Sequence, residues 1–362
     1  MPGNEKQIVA SQREEAAVAA TEVDDRGGRS RFRLSNPTGY ILSVFLVSAI
    51  LMPLSRLVSP SLGSWNTISA ILVISSMLTL IGFGQGLVIL VGELDLSLPS
   101  TISLAGVLTT AWMGASPSVS TFAQIIVITA FIGLVNGIGV AVLKVPSFIM
   151  TLGTQLIIAG TALGYTKGTV PGTTPQFLAD LMLGRSLGIP NPILLLVAIA
   201  VVGSFIQRYT TFGRRLYAVG SNRATAYVAG VHVGRTVIGA FVVSSVCAAL
   251  TGMLIVGYGG GATLGMGDPY FLSSIAVVVV GGSSILGGRG SYLGTVAAAI
   301  FLTTISTLIQ ALGISQGWQT FIYGLLIVGV VGLLNNELYR QAYRWLGRLS
   351  LARREAATPG AP

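Results

Sequence analysis

Three segments of the chain hold residue types that could do chemistry. In the first, Gly92-Glu93-Leu94-Asp95-Leu96-Ser97-Leu98-Pro99-Ser100, two carboxylates and a proline lie between two apolar runs. A carboxylate in or near a bilayer is costly, so it faces a polar cavity, a partner or water. The segment reads equally as part of a solute pathway at Asp95 and as a turn in which Asp95 or Ser97 caps a helix starting near Pro99. The second segment sets Gly281, Gly282, Ser283, Ser284, Gly287, Gly288 and Arg289 into an apolar stretch. Small-residue packing accounts for the glycines but not for an arginine among them. A broken helix end that contacts a partner or lines a path accounts for both. The third segment contains Ser221, Asn222, Ala224, Ala226 and Gly230. Ser221 or Asn222 is a good N-cap for a short helix through Ala229, which Gly230 would stop. Small alanines on such a helix suit docking into a groove on another protein, with a plain connector as the other reading.

Catalytic sets are missing. Lys6, Lys144 and Lys167 are the only lysines and none follows a glycine as a phosphate loop requires, so any ATP is hydrolysed by another chain. There is no H-E-x-x-H or G-x-S-x-G motif, and Cys247 and His232 each stand alone, which leaves no disulfide and no clustered metal site. The glycine strings at 82–86 and 257–261 lie in or at the ends of apolar runs, where glycines permit close helix packing. These readings make the chain a non-enzyme that binds no cofactor.

The elements that must carry these segments follow from composition. Of 362 residues, 52% are hydrophobic, 47 are glycine and 9% are charged, against about 25% charge in a soluble domain. Ten apolar runs fall at 39–58, 67–91, 97–114, 121–143, 146–165, 190–206, 236–257, 271–287, 292–312 and 318–335. They are too long and uniform for barrel strands, so the fold class is all-α, a polytopic membrane protein of about ten transmembrane helices. Residues 1–38 form a polar tail that lacks the apolar core of a secretory signal, 39–335 the transmembrane domain, and 336–362 a basic tail. In that tail Arg340, Arg344 and Arg348 recur on one face of an amphipathic helix suited to the membrane surface. With the amino terminus inside, 18 of the 21 basic residues fall on the cytoplasmic side, leaving Arg56, Lys167 and Arg185 outside. Both termini are therefore expected in the cytoplasm. The net charge of +9 reports orientation, not nucleic-acid binding. The loop 207–235 is cytoplasmic in this arrangement, and the loop 166–189 is external with room for a short surface helix.

Four blocks, in order, carry a family resemblance. Val91 to Ser100 is similar to T-G-G-I-D-L-S-V-G, and Lys144 to Thr154 to R-I-P-P-F-I-V-T-L-G-T. Gly213 to Gly230 is similar to G-R-x-x-Y-A-I-G-G-N-x-x-A-A-x-x-S-G, and Ser283 to Gly294 follows G-G-T-S-L-x-G-G-R-G-S-x-x-G. Over roughly 65–335 the chain resembles the ribose/galactose-type permease subunits of bacterial ABC sugar importers. The resemblance implies an inner-membrane permease paired with a second permease copy, a cytosolic ATPase that holds ATP and magnesium, and a periplasmic or lipid-anchored sugar-binding protein. It implies coupling to the ATPase through Asn222, Ala224, Ala226 and Gly230, with Ser221 beside them. The pathway expectation falls on Asp95, Asn136, Thr151, Thr154, Ser283 and Ser284. Glu93 departs from the family's glycine, and Leu98-Pro99-Ser100 from V-G-S.

One internal similarity suggests a mechanism. Gly82 to Ser103 and Gly257 to Ser274 both run from a glycine string through an aspartate, Asp95 or Asp268, to a serine pair and an apolar stretch. An inverted five-plus-five repeat produces that order, as does chance among glycine-rich helices. Between Thr236 and Asn336 the only charges are Asp268 and Arg289, a lining suited to a neutral monosaccharide or polyol. The rivals are a proton-coupled secondary transporter, for which only Glu93 and Asp95 could relay protons, and an ABC permease for a nucleoside or branched-chain amino acid.

Overall fold

The computed structural model describes residues 37–57, 62–114 and 117–334. The chain divides into residues 1–40, of which 37–40 are described, and a second unit from residue 41 onward. The expected amphipathic tail and nearly all of the amino-terminal tail lie outside the described residues.

Helices dominate. They are α1 (Pro37–Leu54), followed by a 3-10 turn Ser55–Leu57, α2 (Trp65–Leu90), α3 (Leu98–Leu108), continued by a π-helical turn Thr109–Met113, α4 (Val119–Ala141) and α5 (Ser147–Thr166). A short helix α6 (Gln176–Leu183) and a two-residue hairpin, β1 (Arg185–Ser186) with β2 (Ile189–Pro190), occupy the loop where a surface helix was expected. Then come α7 (Asn191–Tyr209), α8 (Thr211–Ser221), α9 (Arg223–Val228), α10 (Val233–Gly259), α11 (Tyr270–Val280), α12 (Tyr292–Ala311) and α13 (Gln316–Leu334). Six of these, α2, α4, α5, α7, α10 and α12, are long and apolar enough to cross a membrane by length and composition. That makes the chain an all-α, polytopic membrane protein.

Local chemistry explains the boundaries. Ser64 starts α2 by accepting from the Thr67 N–H at 3.3 Å, and Gly260 ends α10 in the left-handed region at φ 78°. Hydroxyls inside the apolar helices donate back to the carbonyl four residues earlier, as Ser75 to Ile71 at 2.7 Å and Thr304 to Ile300 at 2.7 Å, so they are satisfied without a tertiary partner. The helix in the run 271–287 stops at Val280, because Gly282 takes φ 87° and the Gly282 and Ser283 N–H groups bond back to the Val279 and Val278 carbonyls. Its 11 residues span about 17 Å, little more than half a hydrocarbon core.

Two long helices organise the rest. α10 packs along α2, α3 and α4, while α2 packs along α10, α11 and α12. Missing side chains allow this proximity: a Cβ at Gly133 would lie 2.5 Å from the Phe241 carbonyl oxygen, and one at Gly137 2.7 Å from the Ile238 Cα. The i, i+4 spacing of these two glycines is the small-residue seam by which α4 closes on α10. The pairings also have an internal order. α5 packs on α3 as α13 packs on α11, so exchanging α2 to α5 with α10 to α13 keeps the central α2–α10 contact and maps each of the others onto another.

Candidate functional site

The turn between α2 and α3 is built almost entirely from polar groups inside an apolar bundle. Gly92, at φ 78°, lets the chain leave α2, and from there the N–H groups of Leu94, Leu96 and Ser97 find side chains. Leu94 N–H donates to Ser147 Oγ at 3.2 Å and Leu96 N–H to Thr151 Oγ1 at 3.0 Å. Thr151 in turn donates to the Ser147 carbonyl at 2.8 Å, so the first turn of α5 cradles the segment. Asp95, only 2% exposed, accepts at Oδ1 from the Ser97 N–H at 3.1 Å and Ser97 Oγ at 2.6 Å, and at Oδ2 from Ser244 Oγ of α10 at 3.0 Å. Ser97 Oγ also accepts from Asn136 Nδ2 of α4 at 2.9 Å, and Asn136 Oδ1 accepts from Thr154 Oγ1 of α5 at 2.6 Å.

A single chain of hydrogen bonds therefore runs Ser244, Asp95, Ser97, Asn136, Thr154 through four elements. Burying a carboxylate costs several kcal/mol unless hydrogen bonds replace its water, and bonds to a charged acceptor contribute roughly 1.5–3 kcal/mol each. Every donor to Asp95 is neutral, so the network can hold and orient a carboxylate but gives it no titratable neighbour to exchange protons with. Ser97 occupies the N-cap position of α3, yet its hydroxyl makes no capping bond. It serves Asp95 instead.

Four expected pathway residues, Asp95, Asn136, Thr151 and Thr154, thus come together, while Ser283 and Ser284 do not join them. Those two lie in the turn 281–291, where Ser283 is buried and the Ser284 N–H donates to the Arg289 carbonyl at 2.9 Å. Sequence reasoning missed Ser147 and Ser244. The first carries a readable signal, four residues before Thr151 on one helical face. Ser244 carries none.

The third segment meets the other two at one end of the bundle. The Gly288 N–H donates to the Leu90 carbonyl at 2.9 Å. Gly220 of α8 lies against both, since a Cβ there would sit 1.7 Å from the Leu90 oxygen and 2.5 Å from the Gly288 nitrogen. Tyr217 Oη donates to the Gly290 carbonyl at 2.7 Å. Burial raises its phenol pKa, more than Arg208 lowers it, so it remains a donor at neutral pH. Arg223 of α9 donates to the Val91 carbonyl at 3.1 Å and forms an ion pair with Glu93. Arg289 is exposed.

Within α9, Asn222 is the cap, accepting from the Thr225 N–H at 2.9 Å, and Gly230 follows at φ 79°. A preceding helix, α8, was not anticipated. Ala226 is buried against the chain's own core, so its small size serves internal packing. The outward face carries Ala224, Tyr227 and Val228, the last two 75% and 86% exposed. Among the described residues no group of three or more His, Cys, Asp or Glu is placed to hold a metal.

Comparison with known proteins fits this geometry. The family described as branched-chain amino acid transport system / permease component matches residues 67–331, from α2 almost to the end of α13. The chain belongs to this family. It is 31% identical to the ribose import permease protein RbsC of Haemophilus influenzae over 300 residues, covering 81% of this chain and 92% of that one. It is 31% identical to the autoinducer 2 import system permease protein LsrC of an Enterobacter strain over 321 residues, 88% of this chain and 93% of the relative. The D-allose transport system permease protein AlsC of Escherichia coli is 29% identical, covering 80% and 90%. No solved structure matches the chain.

Proposed function

We propose that the chain is the membrane-spanning permease subunit of an ABC importer for a monosaccharide or similar neutral polyol, resident in a bacterial inner membrane. The relatives named for ribose, allose and autoinducer 2 import support the solute class. The carrying observation is the junction of Leu90, Gly220 and Gly288, with Arg223 gripping Val91 and Glu93. Two consecutive surface helices that can dock on an ATPase are bonded there to the backbone of two helix breaks inside the bundle, α9 through Arg223 to Val91 and α8 through Tyr217 to Gly290.

In this reading the described residues make ten crossings: the six long helices, α1, α13, and the two short helices α3 and α11, each completed by the non-helical or π-helical segment beside it. Both termini are cytoplasmic, and α8 with α9 lies on the cytoplasmic face. A cytosolic ATPase holding ATP and magnesium seats against Ala224, Tyr227 and Val228. The external binding protein delivers solute at the opposite face, and a second permease copy completes the assembly. The matched packing of α2 to α5 and α10 to α13 supports an inverted five-plus-five repeat, whose halves rock as rigid bodies about the two central helices. Nucleotide-driven movement of α8 and α9 passes through Arg223 to the turn 91–97 and through Gly220 and Tyr217 to the turn 281–291.

Proton coupling fits less well. Glu93 is paired with Arg223 and Asp95 is bonded to three neutral donors, which leaves neither carboxylate in a relay. The test is uptake of radiolabelled D-ribose, D-xylose and D-galactose by proteoliposomes holding the chain with its ATPase and binding protein. Uptake should require ATP. Sugar accumulation by the lone chain under a pH gradient without ATP would falsify the assignment.

A further inference from the structure

A cleft of about 520 Å³ opens among α11, α12 and α13, with residues of α2 and α10 completing its wall. That volume lies within the range of small-molecule sites, about 300–1,000 Å³. It sits away from the junction: Leu78, its deepest α2 residue in sequence, precedes Leu90 by 12 positions, about 18 Å of helix. The other walls come from the last half of α12 and the first half of α13. In the proposed orientation it therefore opens toward the outer face.

Apolar side chains such as Leu78, Ile255 and Phe271 form part of the wall, and nearly all of its polar groups are uncharged. Thr303, Ser306 and Tyr323 supply hydroxyls, Gln310 and Gln319 supply amides, and among the described residues Asp268 is the one charged group of the lining, with no cation there. Such a set donates and accepts but offers no counter-charge to an anion. The start of α11 does not supply one either, because the Tyr270 and Phe271 N–H groups already donate to the carbonyls of Gly267 and Asp268 at 2.9 and 3.1 Å. An amino acid's carboxylate would thus find donors but no counter-charge, whereas a neutral polyol needs none.

Thr303 is the decisive residue. It is 4% exposed and lines the cleft, yet its Oγ1 is buried without a hydrogen-bond partner among the described residues. Most hydroxyls in these helices bond back to the preceding turn, and an orphan is costly unless something else bonds it. Ser306 Oγ and Tyr323 Oη, by contrast, are bonded to each other and tie α12 to α13.

We propose that this cleft is a monosaccharide site on the outer half of the pathway, in which Thr303 Oγ1 and the Gln319 amide hydrogen-bond sugar hydroxyls. The inference rests on the import reading and adds a location to it. The test uses the complete transporter in proteoliposomes, with radiolabelled D-ribose, D-xylose, D-galactose and, as comparison, L-leucine. Thr303→Val keeps the side-chain shape and removes the hydroxyl, while Gln319→Met keeps length and removes the amide. Each should lower sugar uptake at subsaturating concentration by about three- to tenfold, the loss of one hydrogen bond. The Thr303→Val protein should melt no lower than wild type, since it loses only an orphan group. Wild-type uptake by both variants overturns the site. So does a lower melting temperature in Thr303→Val, because the hydroxyl would then have a structural partner. If wild type carries L-leucine and none of the sugars, the import reading itself fails, which is a separate result.

Discussion

Two adjacent serines on α10 provide a controlled test of the Asp95 network. Ser244 and Ser245 are both fully buried, one turn position apart on the same helix, and their alanine variants share the same small gain in helix propensity. Their bonding differs. Ser244 Oγ donates to Asp95 Oδ2 at 3.0 Å, whereas Ser245 Oγ has no partner among the described residues. Ser244→Ala therefore strips one of three donors from a buried carboxylate, a loss of about 1.5–3 kcal/mol. Ser245→Ala removes an unpaired polar atom and should be neutral or mildly stabilising. Converted at about 2–4 °C per kcal/mol, the expected drop for Ser244→Ala is of order 3–12 °C. Membrane proteins in detergent commonly unfold irreversibly, so wild type and both variants are compared at one scan rate. The reading also requires Ser244→Ala to loosen the turn 91–97 specifically, seen as faster hydrogen exchange at Leu96 and Ser97. Equal melts for the two variants, or a larger loss in Ser245→Ala, would refute the claim that Asp95 is held by this network.

Further predictions concern the junction and the orientation. Gly220→Ala places a Cβ 1.7 Å from the Leu90 oxygen, roughly half a normal contact distance. It should cost at least the 1–3 kcal/mol of an overpacked core, while Gly259→Ala, which meets nothing within 4 Å, should melt near wild type; similar melts for both would show that the junction is not tight. On α9, Tyr227→Asp should fold normally and lose stimulation of the partner ATPase. Ala226→Asp, burying an unpaired charge, should cost about 3–5 kcal/mol of stability, and the reverse ranking would invert the face assigned to docking. Because Cys247 is buried, new thiols report topology without a competing label. Leu187→Cys, at a fully exposed hairpin residue, should react with an impermeant maleimide on intact cells, and Tyr227→Cys only after permeabilisation; the opposite pattern removes the cytoplasmic placement of α8 and α9.

Helix positions were legible in the sequence because their signals are local. Apolar runs, a capping Asn222 and positive-φ glycines at 92, 230 and 260 act within a few residues of themselves. The three polar segments were legible too, since a charge or a glycine cluster stands out in a chain with so few charges. Which residues face inward was not. In a soluble helix the apolar stripe marks the buried side, but helices that are apolar all round carry no such stripe. Ala226 accordingly reads as an outward docking residue and is buried. Ser244 gives no local sign of bonding Asp95, 149 positions away, and the α4 seam of Gly133 and Gly137 that holds that helix against α10 is what carries Asn136 into the bundle beside Ser97. Composition and local chemistry determined that this chain is a bundle of apolar helices with polar breaks. Helix packing, which depends on contacts far apart in sequence, decided that the breaks meet one another and the surface helices at one junction.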